Sequence, residues 1–269
     1  MAEARIPYRG CPLCEAPDPV EIVVADCSGH ALFQPPLPRE QRWLQCWKCE
    51  HMFVDGYFAP AALEVLFSRT QSGQVPGHEV EAQRMVWARV VESVAALQPA
   101  LGGRWLDVGF GDGALLTTAA EFGYQVVGVD ARADSVRLMR EAGYEAHASL
   151  FEDFSSEARF DVVSLADALE HMPFPKQALL KAHGLLRPGG LLFLSMPNSD
   201  AHVWAKLSRE NANPYWGEIE HYHNFGRERL YRLLDECGFH PARYGVSHRY
   251  RACMEVIARR GGEREAAAR

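Results

Sequence analysis

From Arg104 onward, short apolar runs alternate with segments of helix length. Trp105–Gly109 and Gln125–Asp130 read as strands, each followed by a helix, through Leu115–Phe122 and Val136–Ala142. Further strands are predicted near Glu145–Ser149, Asp161–Leu165 and Leu191–Ser195, with a helix at Lys176–Leu186 before the last. Strands separated by helices imply βαβ crossovers and a parallel sheet covered on both faces, so the expected fold is doubly wound, Rossmann-like α/β. Upstream, Val86, Val90, Val94 and Leu97 share one face of a helix over 79–97, and Pro60 opens a shorter helix carrying Leu63, Leu66 and Phe67. Downstream, Leu230, Leu233, Leu234 and Cys237 mark a helix that Gly238 stops. Residues 71–78, punctuated by Gly, Pro and Ser, read as a linker or lid and place a boundary near residue 75. The organisation is then an N-terminal module over 1–58, a connecting helix and linker over 59–78, a main domain over 79–260 and a frayed tail over 261–269.

The composition is that of an ordinary globular chain: 269 residues, 48% hydrophobic and 23% charged. No apolar run approaches the roughly 20 residues of a membrane-spanning helix, and the first 20 residues carry charges and prolines where a signal peptide would be apolar. The expected compartment is the cytoplasm. The net charge is −7, and residues 1–55 repeat the bias with 5 basic against 8 acidic side chains, which argues against a nucleic-acid partner.

Four of the seven cysteines form two C-x-x-C pairs, Cys11 with Cys14 and Cys46 with Cys49. Two residues between thiolates let a tight knuckle present both sulfurs to one ion, and a second knuckle completes a closed tetrahedral site. The expected metal is a structural Zn²⁺ in a zinc-ribbon module. Cys27 is spare, with His30 and His51 nearby.

The strand ending at Gly109 runs through Gly109-Phe-Gly111-Asp-Gly113 directly into a helix, a turn that brings backbone N–H groups close to a nucleotide-like ligand. On its own the loop also satisfies the relaxed dinucleotide fingerprint, with Asp130 near the place of an NAD ribose acid. Asp107 and Asp112, however, put negative charge where an NAD pyrophosphate would lie. Acids there suit a cationic ligand such as S-adenosylmethionine, which carries a sulfonium and an ammonium.

The segments Leu106-Asp-Val-Gly-Phe-Gly-Asp-Gly113, Gly128-Val-Asp130, Phe160 to Met172 and Leu186 to Asn198 resemble, in order, the motifs of class I S-adenosylmethionine-dependent methyltransferases. The resemblance covers roughly residues 80–258 and implies a seven-stranded sheet with an antiparallel last strand, supplied by 240–246 and 251–258. With the N-terminal ribbon, the chain looks like the bacterial small-molecule methyltransferases of sugar, polysaccharide and natural-product pathways. The nearest of these are zinc-bearing sugar C-methyltransferases; the larger ones continue with another domain after the sheet, and sugar specificity is not carried over. The resemblance places Asp107, Gly109 and Gly111 around the methionine part of the cofactor, Asp130 on the ribose, and Ala131 and Arg132 beside the adenine. Ser149 and Leu150 align where many relatives carry an acid for the adenine amine, which leaves that contact to the backbone. Ala166 and Asp167 face the methyl-bearing end.

Methyl transfer is an in-line displacement on an activated sulfonium, so positioning does much of the work and a base is needed only when the acceptor keeps its proton. Candidate bases are His171, after the fourth strand of the main domain, and His221, in the insertion after the fifth. A divalent ion on Glu170, His171, Glu220 and His221, orienting a catechol-like acceptor, is a further reading. Trp204, Tyr215, Trp216, Tyr222 and Phe225 supply an aromatic wall for an acceptor pocket. The leading expectation is methyl transfer to a small-molecule acceptor. The alternatives are a zinc-ribbon RNA methyltransferase, a non-catalytic cofactor-binding scaffold and an NAD-dependent reductase. The acceptor, the methylated atom and the oligomeric state are not legible at this level.

Overall fold

Among the described residues, five strands precede the first helix: β1 (Arg5–Pro7), β2 (Val20–Asp26), β3 (Glu40–Gln45), β4 (Met52–Val54) and β5 (Gly56–Phe58), followed by α1 (Pro60–Phe67). The structure is a computed structural model, and it describes residues 4–98, 102–250 and 252–262. Both C-x-x-C pairs form knuckles of one shape. Cys11 N–H donates to the Ala16 carbonyl and Cys46 N–H to the His51 carbonyl, and Glu15 and Glu50 take the same left-handed turn, with φ of 59° and 62°. The second knuckle is the hairpin turn between β3 and β4.

The main domain continues with α2 (Val80–Ala95), β6 (Arg104–Val108), α3 (Ala114–Glu121), β7 (Gln125–Asp130), α4 (Ala133–Glu141), β8 (Glu145–Ala148), β9 (Phe160–Ala166), α5 (Pro175–Leu185) and β10 (Leu186–Pro197). It closes with α6 (His202–Arg209), β11 (His223–Asn224), α7 (Arg227–Glu236), β12 (Phe239–Val246) and β13 (Cys253–Arg260). Its seven-stranded sheet has the order β12-β13-β10-β9-β6-β7-β8. The run from β10 to β8 is parallel, and β13, the last strand, lies antiparallel between β10 and β12. This is the expected doubly wound sheet. The expected tail lies, from residue 263 on, outside the described residues.

Successive side chains in a strand point to opposite faces, and here both faces are covered. Val162, Leu191 and Phe193 pack with Trp87, Val90, Val91 and Val94 of α2, whereas Val163, Leu192 and Leu194 pack with Leu179 of α5 and the leucines of α7. The buried stripe of α2 therefore runs through Trp87 and Val91, with Val86 only half-buried. The chain reverses its direction of winding at β6, with β7 and β8 to one side and β9 and β10 to the other. A ligand crevice forms outside the carboxyl ends of strands at such a point.

The N-terminal sheet is not closed within the N-terminal strands. Its order is β11-β4-β3-β2, so the two residues of β11 from the main domain pair antiparallel with β4. Cys11, Cys46, Cys49 and Phe53 belong to the same buried cluster as Phe225 and the α7 leucines. Among the described residues, no helix is long and apolar enough to cross a membrane.

Candidate active site

The turn after β6 is built by Gly109, Gly111 and Gly113, with φ of 69°, 52° and 73°, values that L side chains rarely adopt. A Cβ on Gly109 would also meet Ala168 at 3.1 Å. Gly111 N–H donates to Asp130 Oδ2 (3.1 Å), tying the turn to the end of β7, and Arg132 N–H donates to Oδ1 of the same carboxylate (2.8 Å). Asp112 proves to be a local cap, since its Oδ1 accepts from Ala114 N–H (2.9 Å) at the start of α3.

Asp107 lies buried on β6, directly opposite Ser164 on β9. Trp105 Nε1–H donates to Ser164 Oγ (2.8 Å), and the Ser164 hydroxyl donates to Asp107 Oδ1 (2.6 Å). Asp107 Oδ2 is left without a partner. Burial pushes this carboxyl up to about 7, reinforced by the charges of Asp112 and Asp130 and opposed by the Ser164 hydrogen bond.

Two joined cavities open at this edge of the sheet, sharing Gly109, Gly111, Asp167, His171 and Glu220 as a common wall. One side takes in Asp130, Ala131, Arg132, Ser149 and Leu150, and the other Asp107, Ala166 and His221. Every residue expected from the sequence to contact the cofactor, together with the candidate bases His171 and His221, thus lines one crevice, whereas Trp204, Trp216 and Phe225 of the expected aromatic wall do not. Asp167, at the end of β9, has φ of 50° and is fully engaged: the Ser195 hydroxyl donates to Oδ1 (2.7 Å) and Arg249 Nη1–H to Oδ2 (2.6 Å).

The imidazoles of His171 and His221 meet edge to face, with ring centroids 4.7 Å apart. Burial, followed by the charges of His171, His30 and His223, holds His221 well below its ordinary value, so this imidazole is neutral. Burial conversely pushes the Glu170 carboxyl well above the carboxylate range, with Asp167 adding to the effect. Of the expected aromatic wall, Tyr215 and Tyr222 line the crevice, whereas Trp204 and Phe225 are core residues.

Several lining residues escaped the sequence reading. Leu63, Leu66 and Phe67 of α1 wall the Asp130 side, and Gln71 Nε2–H donates to Glu220 Oε2 (3.2 Å), bringing the 71–78 segment across the opening. Glu220 Oε1 also accepts from Arg132 (2.7 Å), whose guanidinium lies 5.2 Å from the Phe67 ring centroid. Arg249 stacks on Trp87 at 4.4 Å. The apolar spacing of α1 is visible in the sequence, but which side of it faces a cavity depends on packing far away in the chain.

The loop carrying His221 is held by the N-terminal sheet. Buried Gln41 of β3 donates through Nε2 to the Glu218 and His221 carbonyls (3.1 and 3.2 Å), and Trp43 Nε1–H donates to the Trp216 carbonyl (2.8 Å). Val54 N–H donates to the Tyr222 carbonyl (2.9 Å). The four cysteine sulfurs converge at the knuckles, with Cys11 to Cys49 at 3.6 Å and Cys14 to Cys46 at 3.5 Å, all within 4.8 Å of one another. A tetrahedral ion with bonds of about 2.3 Å to sulfur needs sulfurs about 3.8 Å apart, so this donor set fits one metal ion.

A family model described as a methyltransferase domain matches residues 80–242. The ubiquinone biosynthesis O-methyltransferase of Xanthomonas axonopodis pv. citri is 35% identical over 140 residues, which is 49% of this chain and 56% of that protein. That of Aromatoleum aromaticum is 32% identical over 151 residues, 52% of this chain and 62% of that protein. The match thus spans little more than half the length of these relatives. Among solved structures, Burkholderia thailandensis 1,6-didemethyltoxoflavin-N1-methyltransferase, with bound 1,6-didemethyltoxoflavin and S-adenosylhomocysteine, superposes with a TM-score of 0.57 at 22% identity. The alignment covers 81% of this chain and 98% of that one. Magnesium protoporphyrin IX methyltransferase from Synechocystis, with bound S-adenosylmethionine, gives 0.51 at 18% identity, covering 67% and 81% of the two chains. Both are likenesses of fold.

Proposed function

The chain belongs to the class I S-adenosylmethionine-dependent methyltransferases, and from that premise we propose that it transfers a methyl group from S-adenosylmethionine to a hydroxyl of a small-molecule acceptor. The observation that carries this reading is the pair of buried carboxylates flanking the glycine turn. Asp107 offers an unpartnered oxygen to a cationic ammonium, and Asp130 sits where ribose hydroxyls can donate to it. Leu63, Leu66 and Phe67 supply an apolar wall for the adenine, with Ala131 and Arg132 beside it and the Ser149 and Leu150 backbone at its edge.

When bound, the cofactor supplies a methyl group on a positively charged sulfur, so the acceptor has only to be aligned and relieved of its proton. Ala166 and Asp167 border the reacting end. Asp167 is held by Ser195 and Arg249, which makes it a fixed wall rather than a mobile acid. His171 and His221 face the acceptor, and a neutral imidazole there can take the hydroxyl proton. Zinc on Cys11, Cys14, Cys46 and Cys49 is structural in this reading, because four thiolates leave no coordination position for substrate.

The test is calorimetric titration of the zinc-replete chain with S-adenosylmethionine, S-adenosylhomocysteine and NADH, with Asp130→Ala as the control. The first two are expected to bind, and Asp130→Ala to cost about 1.5–3 kcal/mol, roughly ten- to a hundredfold in affinity. Binding of NADH alone, or of none of the three, would defeat the reading.

A further inference from the structure

Trp87 of α2 lines the crevice at 3% exposure, yet its Nε1–H has no hydrogen-bond partner. A buried indole N–H is ordinarily satisfied, as that of Trp105 is by Ser164 (2.8 Å). Against the Trp87 ring lies the Arg249 guanidinium, its carbon 4.4 Å from that ring centroid and 4.9 Å from that of Tyr250. The Arg249 side chain is only 18% exposed. Its Nη1–H is taken by Asp167, whereas Nη2–H makes only a 3.4 Å contact with the Tyr250 hydroxyl, so this five-donor fork still has hydrogens to give. The backbone beneath it is set as well: Arg249 N–H donates to Ser247 Oγ (3.1 Å), Ser247 N–H to the Cys253 carbonyl (3.0 Å) and Cys253 N–H to the Tyr250 carbonyl (3.0 Å). Binding the cofactor and deprotonating a hydroxyl leave these donors without a task.

Among the described residues on the acceptor side of the crevice, Arg249 is the one arginine or lysine. The acids around it do not repel an anion as their number suggests. Asp167 is matched by Arg249, Glu220 by Arg132 and Glu218 by His30, and Asp112 caps α3. Burial keeps the Glu170 carboxyl protonated, and Asp107 is assigned to the cofactor's ammonium, whose neighbouring sulfonium adds a positive charge. Tyr215, between Trp204 (5.4 Å, 13°) and His221 (6.4 Å, 14°) in near-parallel planes, gives the same cavity a flat aromatic wall.

We propose that Trp87 and Arg249 form a carboxylate seat, and that the acceptor is a hydroxylated aromatic acid whose carboxylate it holds. The inference rests on the methyl-transfer reading above and deepens it by naming the substrate class. A guanidinium fork and an indole N–H offer converging donors to a planar carboxylate and none to the uncharged amide nitrogen that replaces one of its oxygens. The cofactor carries a carboxylate too, next to its ammonium. Arg249 touches Asp167, which in that reading borders the methyl-bearing end, and this favours the acceptor as the source.

The experiment titrates the full-length chain, saturated with S-adenosylhomocysteine, with meta-hydroxybenzoate, meta-hydroxyphenylacetate and meta-hydroxyphenylpropanoate, each beside its amide. At least one acid is expected to bind about tenfold or more tightly than its amide. Arg249→Gln should remove that preference, and Trp87→Phe, which keeps a ring under the guanidinium, should reduce it about threefold. A purely structural role for Arg249 would weaken acid and amide together and leave their ratio unchanged, which overturns the seat. If Arg249→Gln does not fold, Trp87→Phe carries the comparison. Failure of every acid to outbind its amide overturns the acceptor class, and so does a preference that survives both substitutions. A parallel titration compares S-adenosylhomocysteine with its decarboxylated analogue: if Arg249→Gln weakens the first alone and no acid is preferred, the seat holds the cofactor's carboxylate and the acceptor class falls. A chain that prefers the acid but ignores S-adenosylhomocysteine supports the seat and removes the methyl-transfer reading instead.

Discussion

Asp107 has one oxygen satisfied by Ser164 and one facing the crevice alone, with its carboxyl raised by burial from the ordinary 3.8 to about 7. A raised folded-state value means that the folded chain keeps a proton the unfolded chain has released, so this group favours folding below about pH 4 and loses that contribution as the pH climbs to 7. A cationic ligand reverses the preference, because it favours the ionised carboxylate. Affinity for S-adenosylhomocysteine is therefore expected to rise with pH, approaching about tenfold per unit below pH 7 and levelling above it, with one proton released per ligand bound. Calorimetry in buffers of different ionisation enthalpy measures that proton, and Asp107→Asn should abolish both the release and the slope. A flat affinity from pH 5.5 to 8 in the native chain would contradict the assignment. Asp107 and Asp130 were legible because each lies at the end of an apolar run beside the glycine turn. Arg249 was not: it lies in the connection between β12 and β13, and it is placed by Trp87 and Asp167, both distant in sequence.

At the scale of elements, the loop 217–222 hangs from the N-terminal sheet through Gln41, Trp43 and Val54. Gln41→Leu fills the same space but leaves the Glu218 and His221 carbonyls without their donor, a loss of about 1–3 kcal/mol for each buried group. Turnover should fall while S-adenosylhomocysteine affinity stays within about twofold, since Gln41 bonds the Glu218 and His221 carbonyls, whereas the Glu220 side chain on the cofactor side is held separately by Arg132 and Gln71. Loss of both together would show that the sheet supports the whole domain rather than this loop. The alternating faces of β9 and β10 could be read from Val162, Val163, Leu191 and Leu192, because burial on both sides leaves unbroken apolar runs. β11 could not be read. Two residues carry no periodicity, and only the open edge of β4 makes His223 and Asn224 a strand.

In the molecule as a whole, the cysteine cluster and the acceptor wall belong to one mechanical unit, since β3 and β4 run between the second knuckle and the His221 loop. With zinc on the four thiolates as proposed, stripping it with a strong chelator is expected to lower the melting temperature, by roughly 4–8 °C for each 2 kcal/mol lost in a chain of this size, and to abolish turnover before far-UV helicity. Unchanged turnover in metal-free protein would separate the two. The spacing of the thiols revealed the cluster, but nothing in that spacing said that it would brace the crevice wall that carries His221. The shared sheet also sets an order of assembly. All four thiols are made within the first 49 residues, whereas His223, which meets His51 at 3.0 Å, follows 172 positions later. During synthesis the knuckles can capture their ion early, and the β4 edge must then stay unpaired until most of the main domain has left the ribosome. A nascent chain halted before residue 223 would expose that edge to other copies, so slow translation of the second half should raise aggregation even though every N-terminal residue is intact.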